Sequence, residues 1–275
     1  MKRTVCRVLL GLSVSLFAHA ENLPVITLPA TTPPVMSDAE REVIRSIVKE
    51  TIREYAAALS DKQHANSSTK DILREITLSN RNFMRKHAPT YFKALTAGQS
   101  PRATIVTCSD SRVHTHAFDA TPDGDLFMVR NIGNQIANAE GSVEYGVRNL
   151  RTPLLLVVGH VACGAIKAAS TDYSNESAAI RRELDTLQIP KGDAGLSSVQ
   201  LNVNNQVRLA MNKFEEDVIS GRLTVVGAVY DFNNEMRQGL GKLNIVNVNG
   251  ETNQLRINRL DLIQGLDAPA SRKRR

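Results

Sequence analysis

The sequence contains no tryptophan, and aromatic residues make up only 4% of its 275 residues. Apolar residues still account for 42% of the chain, and a chain of this length can bury a sizeable core. That core has to be built on Val, Ile, Leu and Ala rather than on aromatic side chains. The composition therefore suits a globular α/β protein of one or two domains.

The chain also lacks an uncharged apolar run of about 20 residues, the length that a membrane-spanning helix needs. Its apolar stretch near the start, Val8 to Phe17, is shorter than that. It follows the basic pair Lys2-Arg3 and precedes the small-x-small triplet Ala18-His19-Ala20, which is the order of a secretory signal peptide. We therefore predict a signal peptide over residues 1–20 and a periplasmic or secreted mature protein with no membrane span. A buried N-terminal helix is the alternative.

The body of the chain has no excess of positive charge, although the net charge is +6. Seven basic residues lie in the first twenty or the last ten residues, and with Asp267 they account for the whole excess. A neutral body does not indicate a basic groove that would track phosphates, so we expect no nucleic-acid partner. We interpret residues 266–275 as a basic disordered tail.

Cysteine is scarce, since only Cys108 and Cys163 remain once Cys6 is removed with the signal peptide. In an oxidising compartment, two cysteines commonly form one disulfide. A metal site is the other interpretation, and the residues around the two cysteines have to distinguish a disulfide from a metal site.

Residues 21–36 carry four prolines and little periodicity, which predicts a Pro-rich arm. The segment Ser37 to Glu40 is a capping box, and apolar residues at helical spacing behind it predict a helix over about 38–59. A second helix is predicted over about 71–87. We treat residues 37–265 as a single domain.

From residue 103 onward, short β-branched runs alternate with helical stretches, which predicts a mainly parallel β-sheet flanked by helices. The fold class is therefore α/β, with an N-terminal helical extension. The Asn249-Gly250 pair after a last strand indicates a hairpin toward a further strand at Gln254 to Ile257. The predicted strands span 103–107, 125–129, 154–158, 223–229 and 243–248, and the helices 142–150, 163–170, 178–187 and 196–219.

Polar segments follow two of the predicted strands, at the sheet edge where α/β proteins bind ligands. Cys108, Asp110 and Arg112 follow the first strand at a spacing of two, so in an extended stretch they would project from one side. After the third strand, a sharp turn at Gly159 could lead into a helix whose first turn begins with the His-x-x-Cys segment 160–163.

Together these segments offer two thiolates, one imidazole and one carboxylate, a set that suits tetrahedral Zn²⁺. Each motif alone is weak, but both cysteines of the mature chain occur in them. We therefore predict a zinc site with Cys108, Asp110, His160 and Cys163 as candidate ligands. A Cys108–Cys163 disulfide remains the alternative.

The same segments, in the same order, resemble the β-class carbonic anhydrases. The similarity runs from about Ile76 to Phe232 and leaves out residues 21–70 and the tail. It is carried by the segments 108–113, 124–127, 130–131, 144–147, 159–160 and 163–164.

The resemblance implies one zinc per subunit, bound by Cys108, His160 and Cys163. It implies that Asp110 either fills the fourth zinc position or pairs with Arg112, which would free the metal for water. The N–H group of Gly164 resembles a donor to bound bicarbonate. The implied activity is the reversible hydration of carbon dioxide to bicarbonate and a proton by zinc-bound hydroxide with an Asp-Arg dyad. The implied assembly is a homodimer or homotetramer.

The sequence departs from parts of this family pattern. One bacterial subgroup has a tryptophan where this chain has Ile105, as part of an inhibitory bicarbonate site, although Arg130 matches another residue of that site. His114 and His116 suit a proton shuttle, with two solvated loop histidines as the alternative. Two further functions stay open: hydrolysis of carbonyl sulfide or carbon disulfide on the same zinc, and a non-catalytic zinc site closed by Asp110.

Overall fold

A computed structural model describes residues 37–60 and 67–266 of the chain. The signal peptide and the Pro-rich arm, and all but the first residue of the basic tail, lie outside the described residues. The chain divides into two compact units between Lys86 and His87. The single-domain assignment stays a prediction. In the described ranges, no helix combines the length and apolar character that crossing a membrane requires.

The first unit contains the two predicted helices, α1 (Asp38–Ser60) and α2 (Thr69–Lys86). The capping box before α1 is confirmed. The Ser37 N–H donates to Glu40 Oε2 at 2.9 Å, and the Glu40 N–H donates to Ser37 Oγ at 3.3 Å. Ser68 caps α2 in a similar way, because its Oγ accepts the Asp71 N–H at 3.2 Å. This cap explains why α2 begins earlier than the periodicity predicts.

The second unit begins with α3 (Pro89–Leu95) and is built on a five-stranded sheet of order β2-β1-β3-β4-β5. Strands β1 to β4 are parallel, and β5 runs antiparallel to β4 at one edge. The α/β class with a mainly parallel sheet is therefore confirmed. The strands are β1 (Ala103–Cys108), β2 (Leu126–Asn131), β3 (Leu154–His160), β4 (Thr224–Asp231) and β5 (Lys242–Val248).

Helices separate the strands as predicted, although two of them differ in detail. A π-helical stretch, Tyr145–Asn149, continues the first helix after β2. The long helix predicted over 196–219 is broken at Phe214, which leaves helical geometry (φ −113°, ψ 29°) while its ring lies fully buried. The helices are α4 (Glu140–Glu144), α5 (Gly164–Ala169), α6 (Ala178–Asp185), α7 (Leu196–Lys213), α8 (Glu215–Ile219) and α9 (Gln254–Ile257).

The predicted final hairpin is wrong. Asn249 and Gly250 do turn the chain, with φ values of 47° and 89°, but the pairing beyond them is a single bridge between Val248 and Glu251. The Asn253 side chain then accepts the Arg256 N–H and begins α9. The N-cap favours a helix over a strand at this point, and Ile257 on this helix is completely buried.

Strand β3 is the centre of the core, and Leu155, Val157 and Val158 on it are fully buried. A Cβ atom at Gly159 would lie 2.7 Å from Val203 Cγ2 on α7. The glycine therefore permits close packing of α7 against the carboxyl end of β3. This packing fixes the backbone that leads into His160.

Candidate metal centre

Three side chains with metal-binding atoms converge at the carboxyl edge of the sheet. Cys108 is the last residue of β1 and His160 the last of β3, and these two strands are parallel neighbours. Cys163 is the N-cap of α5, three residues beyond His160. The candidate ligand atoms all lie within 4.8 Å of one another, and all three residues are buried.

The local backbone differs from the sequence prediction around His160. His160 completes β3 instead of standing in the first turn of a helix, and the helix begins only after Cys163. The turn between them places Ala162 at a positive φ of 51°. Gly159 therefore serves the contact with α7 and does not form the turn. His160 and Cys163 do converge as predicted, but they do so from the end of a strand and the N-cap of a helix.

His160 supports metal binding by its unsatisfied nitrogen. Its Nδ1 lies 2.9 Å from the Val161 carbonyl oxygen, which can only accept, so Nδ1 carries the proton. Its Nε2 is completely buried and has no hydrogen-bond partner among the described residues. A buried polar atom without a partner is uncommon, and a neutral imidazole held by a carbonyl in this way is a typical zinc ligand.

The two cysteines form no disulfide and share one hydrogen bond. The hydrogen bond from Cys163 lowers the pKa of Cys108 to about 4, with help from the N–H groups of Gly133 and Asp110. The same hydrogen bond and burial raise the pKa of Cys163. The Cys108 sulfur is therefore favoured as a thiolate, and a divalent cation would bind both sulfurs as thiolates with release of protons. This donor set fits Zn²⁺.

Asp110 and Arg112 form a two-pronged ion pair beside these ligands. Arg112 Nε donates to Asp110 Oδ1 at 2.9 Å, and Nη2 donates to Oδ2 at 2.6 Å. The Arg112 hydrogen bonds lower the pKa of Asp110 to about 2. Asp110 Oδ2 lies 3.8 Å from His160 Nε2, so an ionised carboxylate borders the ligand group while Arg112 engages both of its oxygens.

The segment that carries this pair is a turn, so the predicted extended spacing is wrong. The Val113 N–H donates to the Asp110 carbonyl at 3.0 Å, and the Arg112 N–H donates to Asp110 Oδ1 at 3.0 Å. These local bonds favour a turn over an extended strand after Cys108. Arg112 also donates to the Ala162 carbonyl at 3.0 Å, which joins this turn to the one after β3.

Sequence reasoning missed Phe232, which contacts both halves of the site. Its ring stacks on the His160 ring at a centroid distance of 6.0 Å, and the Arg112 guanidinium lies 5.0 Å from its centroid. The signal was available, because Phe232 directly follows β4, the parallel neighbour of β3. The ring fixes the imidazole plane and supports Arg112 through a cation–π contact.

A cavity of about 360 Å³ opens at the ligand group. Cys108, Ser109, Asp110 and Gly164 form its polar side, and a Cβ atom at Gly164 would meet nothing within 4 Å. Its other side is apolar and consists of Ile132, Ala165, Ala168, Ile180 and Leu184. The cavity therefore suits a small apolar molecule on one side and an anion on the other.

His114 and His116 lie outside this group. They are exposed, their rings stack at 5.0 Å, and their Nδ1 atoms are 3.1 Å apart. The metal-ligand group found in the described residues consists of Cys108, His160 and Cys163 alone.

Comparison with known proteins agrees with this geometry. Residues 103–236 match the family model described as carbonic anhydrase. Carbonic anhydrase 2 of Mycobacterium tuberculosis is 34% identical over 151 residues, which cover 50% of this chain and 72% of that protein. The carbonic anhydrase of Mycolicibacterium smegmatis is 33% identical over 167 residues, which cover 54% and 81%.

Solved structures show the same fold. The Coccomyxa β-carbonic anhydrase in complex with acetazolamide superimposes with a TM-score of 0.54 at 24% identity, covering 71% of this chain and 95% of that one. A tetrameric β-carbonic anhydrase of Sordaria macrospora gives a TM-score of 0.53 at 24% identity, covering 63% and 96%. The chain belongs to the carbonic anhydrase family, in its β class.

Proposed function

We propose that this chain catalyses the reversible hydration of carbon dioxide to bicarbonate and a proton, with one Zn²⁺ held by Cys108, His160 and Cys163. The observation that carries the proposal is the buried His160 Nε2, which lacks a hydrogen-bond partner among the described residues, on a side chain whose ligand atom lies within 4.8 Å of two free sulfurs. A bound zinc ion would supply Lewis-acid chemistry, lowering the pKa of a coordinated water.

Asp110 and Arg112 act as the catalytic dyad in this proposal. With a pKa of about 2, Asp110 is ionised at any working pH and can only accept hydrogen bonds. It can therefore accept a hydrogen bond from the O–H group of the attacking water and so turn the oxygen lone pair toward the substrate. Arg112 holds both carboxylate oxygens, so ligation of the metal by Asp110 would compete with this ion pair.

Different parts of the pocket lining suit the substrate carbon dioxide and the product bicarbonate. The apolar wall formed by residues such as Ile132, Ile180 and Leu184 accommodates carbon dioxide, which needs no hydrogen-bond donors. Bicarbonate is an anion and needs them. The N–H of Gly164, the first residue of α5, is the donor that we propose for it, since the amino end of a helix favours negative charge.

Replacing Gly164 with proline tests this donor selectively. Proline is tolerated at the first position of a helix, and Cys163 already has the extended conformation (φ −69°, ψ 122°) that a residue before proline adopts. We expect G164P to fold and bind zinc but to raise the KM for bicarbonate about ten- to a hundredfold, the worth of one hydrogen bond to a charged group. The measurement is bicarbonate dehydration by stopped flow.

The control is G164A, which keeps the N–H and whose added Cβ meets nothing within 4 Å. Its KM should match the wild type. Equal KM values for G164P and the wild type would show that the Gly164 N–H does not donate a hydrogen bond to bicarbonate.

The proposed reaction is tested by assaying the zinc-loaded chain with carbon dioxide, carbonyl sulfide and carbon disulfide side by side. All three substrates are linear, so access to the pocket decides among them. We expect hydration of carbon dioxide to be the fastest. Faster turnover of a sulfur substrate would redefine the enzyme, and a zinc-containing chain without any turnover would indicate a structural site.

We propose in addition that the protein is exported and forms homo-oligomers. Export rests on the order of features in residues 1–20, and cleavage after Ala20 would be read by N-terminal sequencing of the protein from a periplasmic or culture fraction. The oligomer rests on the similarity to the Sordaria macrospora enzymes, which are described as tetrameric. Light scattering on the purified protein would give its size.

A further inference from the structure

Arg130 lies on β2, the edge strand of the sheet, opposite Thr107 of β1. We propose that Arg130 is a positioning residue that holds the loop 108–113 in its metal-binding conformation, an inference that rests on the proposed function. Arg130 does not line the 360 Å³ cavity and does not belong to the group of metal ligands. It acts through the backbone of the loop.

The guanidinium of Arg130 makes four donor–acceptor contacts, all to carbonyl oxygens of this loop, and the two hydrogens of Nη2 are shared among three of them. Nε and Nη2 donate to the Cys108 oxygen at 3.2 and 2.9 Å. Nη2 also donates to the Asp110 oxygen at 2.9 Å and to the Val113 oxygen at 2.8 Å. One side chain therefore joins the beginning, the middle and the end of the turn.

Three carbonyl oxygens that point at one place repel one another unless a positive charge lies between them. Hydrogen bonds from a charged donor are about twice as strong as neutral ones, so the guanidinium offsets this repulsion. The turn also closes on itself, because the Val113 N–H donates to the Asp110 oxygen at 3.0 Å. Arg130 and this bond both favour the same backbone conformation.

The loop carries three groups of the proposed site. Cys108 supplies a sulfur ligand at its start, and Asp110 and Arg112 form the dyad two and four residues later. A change in the loop backbone would therefore alter both the ligand geometry and the dyad. Groups that orient metal ligands from outside typically contribute about 10- to 100-fold in metal affinity.

Arg130→Met tests the inference, because methionine keeps part of the apolar stem and removes all four donor–acceptor contacts. Arg130 is exposed, so the substitution leaves no buried cavity. Arg130→Lys keeps the charge on a shorter side chain. The control is Arg148→Met, which removes an arginine that pairs with Glu144 and Asp217, away from the metal group. Each zinc-loaded variant is mixed with an excess of a chromogenic chelator, and the Co²⁺-loaded variants give an absorption spectrum.

We expect R130M to release zinc about ten times faster than the wild type or more, and its sulfur-to-cobalt band to shift. The zinc-release rate of R130K should lie between those of R130M and the wild type. R148M should release zinc at the wild-type rate even if its melting temperature falls. Wild-type release and an unchanged cobalt spectrum in R130M would overturn the inference alone. Equal acceleration in R148M and R130M would also overturn it. A wild-type chain that holds no zinc would overturn the proposed function as well.

Discussion

Replacing Cys163 with serine is expected to abolish zinc binding and carbon dioxide hydration while leaving the fold intact. Serine is nearly the same size but has no thiolate to offer, and one of three protein ligands is lost. The loss of zinc affinity should exceed the about 10- to 100-fold that removal of an outer partner costs. Zinc content by atomic emission and hydration by stopped flow measure the two effects.

The fold should survive because Cys163 is the N-cap of α5 and serine is among the preferred residues at that position. The matched control is Thr107→Ser, next to Cys108 on β1, which keeps the hydroxyl that donates to the Val158 carbonyl at 3.1 Å. It should retain zinc and activity. A C163S chain with stoichiometric zinc and undiminished hydration would rule out Cys163 as a ligand.

Replacing Asp110 with asparagine should leave zinc in place and lower kcat by about 10²-fold or more, the order of the cost of misorienting a reacting group. The amide has nearly the shape of the carboxylate but offers one acceptor oxygen and no charge. It cannot hold Arg112 by two ionic hydrogen bonds, which in the native chain span 2.9 and 2.6 Å. Cys108, His160 and Cys163 remain untouched, so zinc content should equal that of the wild type.

Ser111→Ala is the control for this variant, because Ser111 is exposed in the same turn and its side chain does not line the cavity. We expect it to keep the wild-type rate. Loss of zinc from D110N in proportion to loss of activity would instead assign Asp110 to the metal as a ligand. A D110N enzyme with wild-type kcat would show that the Asp110–Arg112 pair has no catalytic role.

The sequence allowed the main features of the fold and site to be predicted. Short β-branched runs located β1 to β4, and the continuous apolar sequence of β3 fits a strand at the centre of a parallel sheet. The positions of Cys108, His160 and Cys163 after two of those strands were enough to bring them together, since parallel neighbours end at the same edge. Tertiary contacts were not needed for that step.

One local feature was missed, because the spacing of Asp110 and Arg112 suggested an extended segment, whereas hydrogen bonds within the loop make it a turn. Features that depend on contacts distant in sequence could not be predicted. Gly159 was assigned to a turn, whereas its role is to admit Val203 of α7. The convergence of three carbonyls on Arg130 requires the final loop conformation, which no local pattern contains.

The central claim is that two free sulfurs and one imidazole nitrogen bind a single zinc ion. It is tested most directly by measuring zinc and reactive thiols together on the purified protein, before and after a chelator. We predict one zinc per chain, thiols of Cys108 and Cys163 that are protected while the metal is bound, and two reactive thiols once it is removed. Absence of zinc together with no reactive thiol in the unfolded, unreduced mature chain would show a disulfide and contradict the claim.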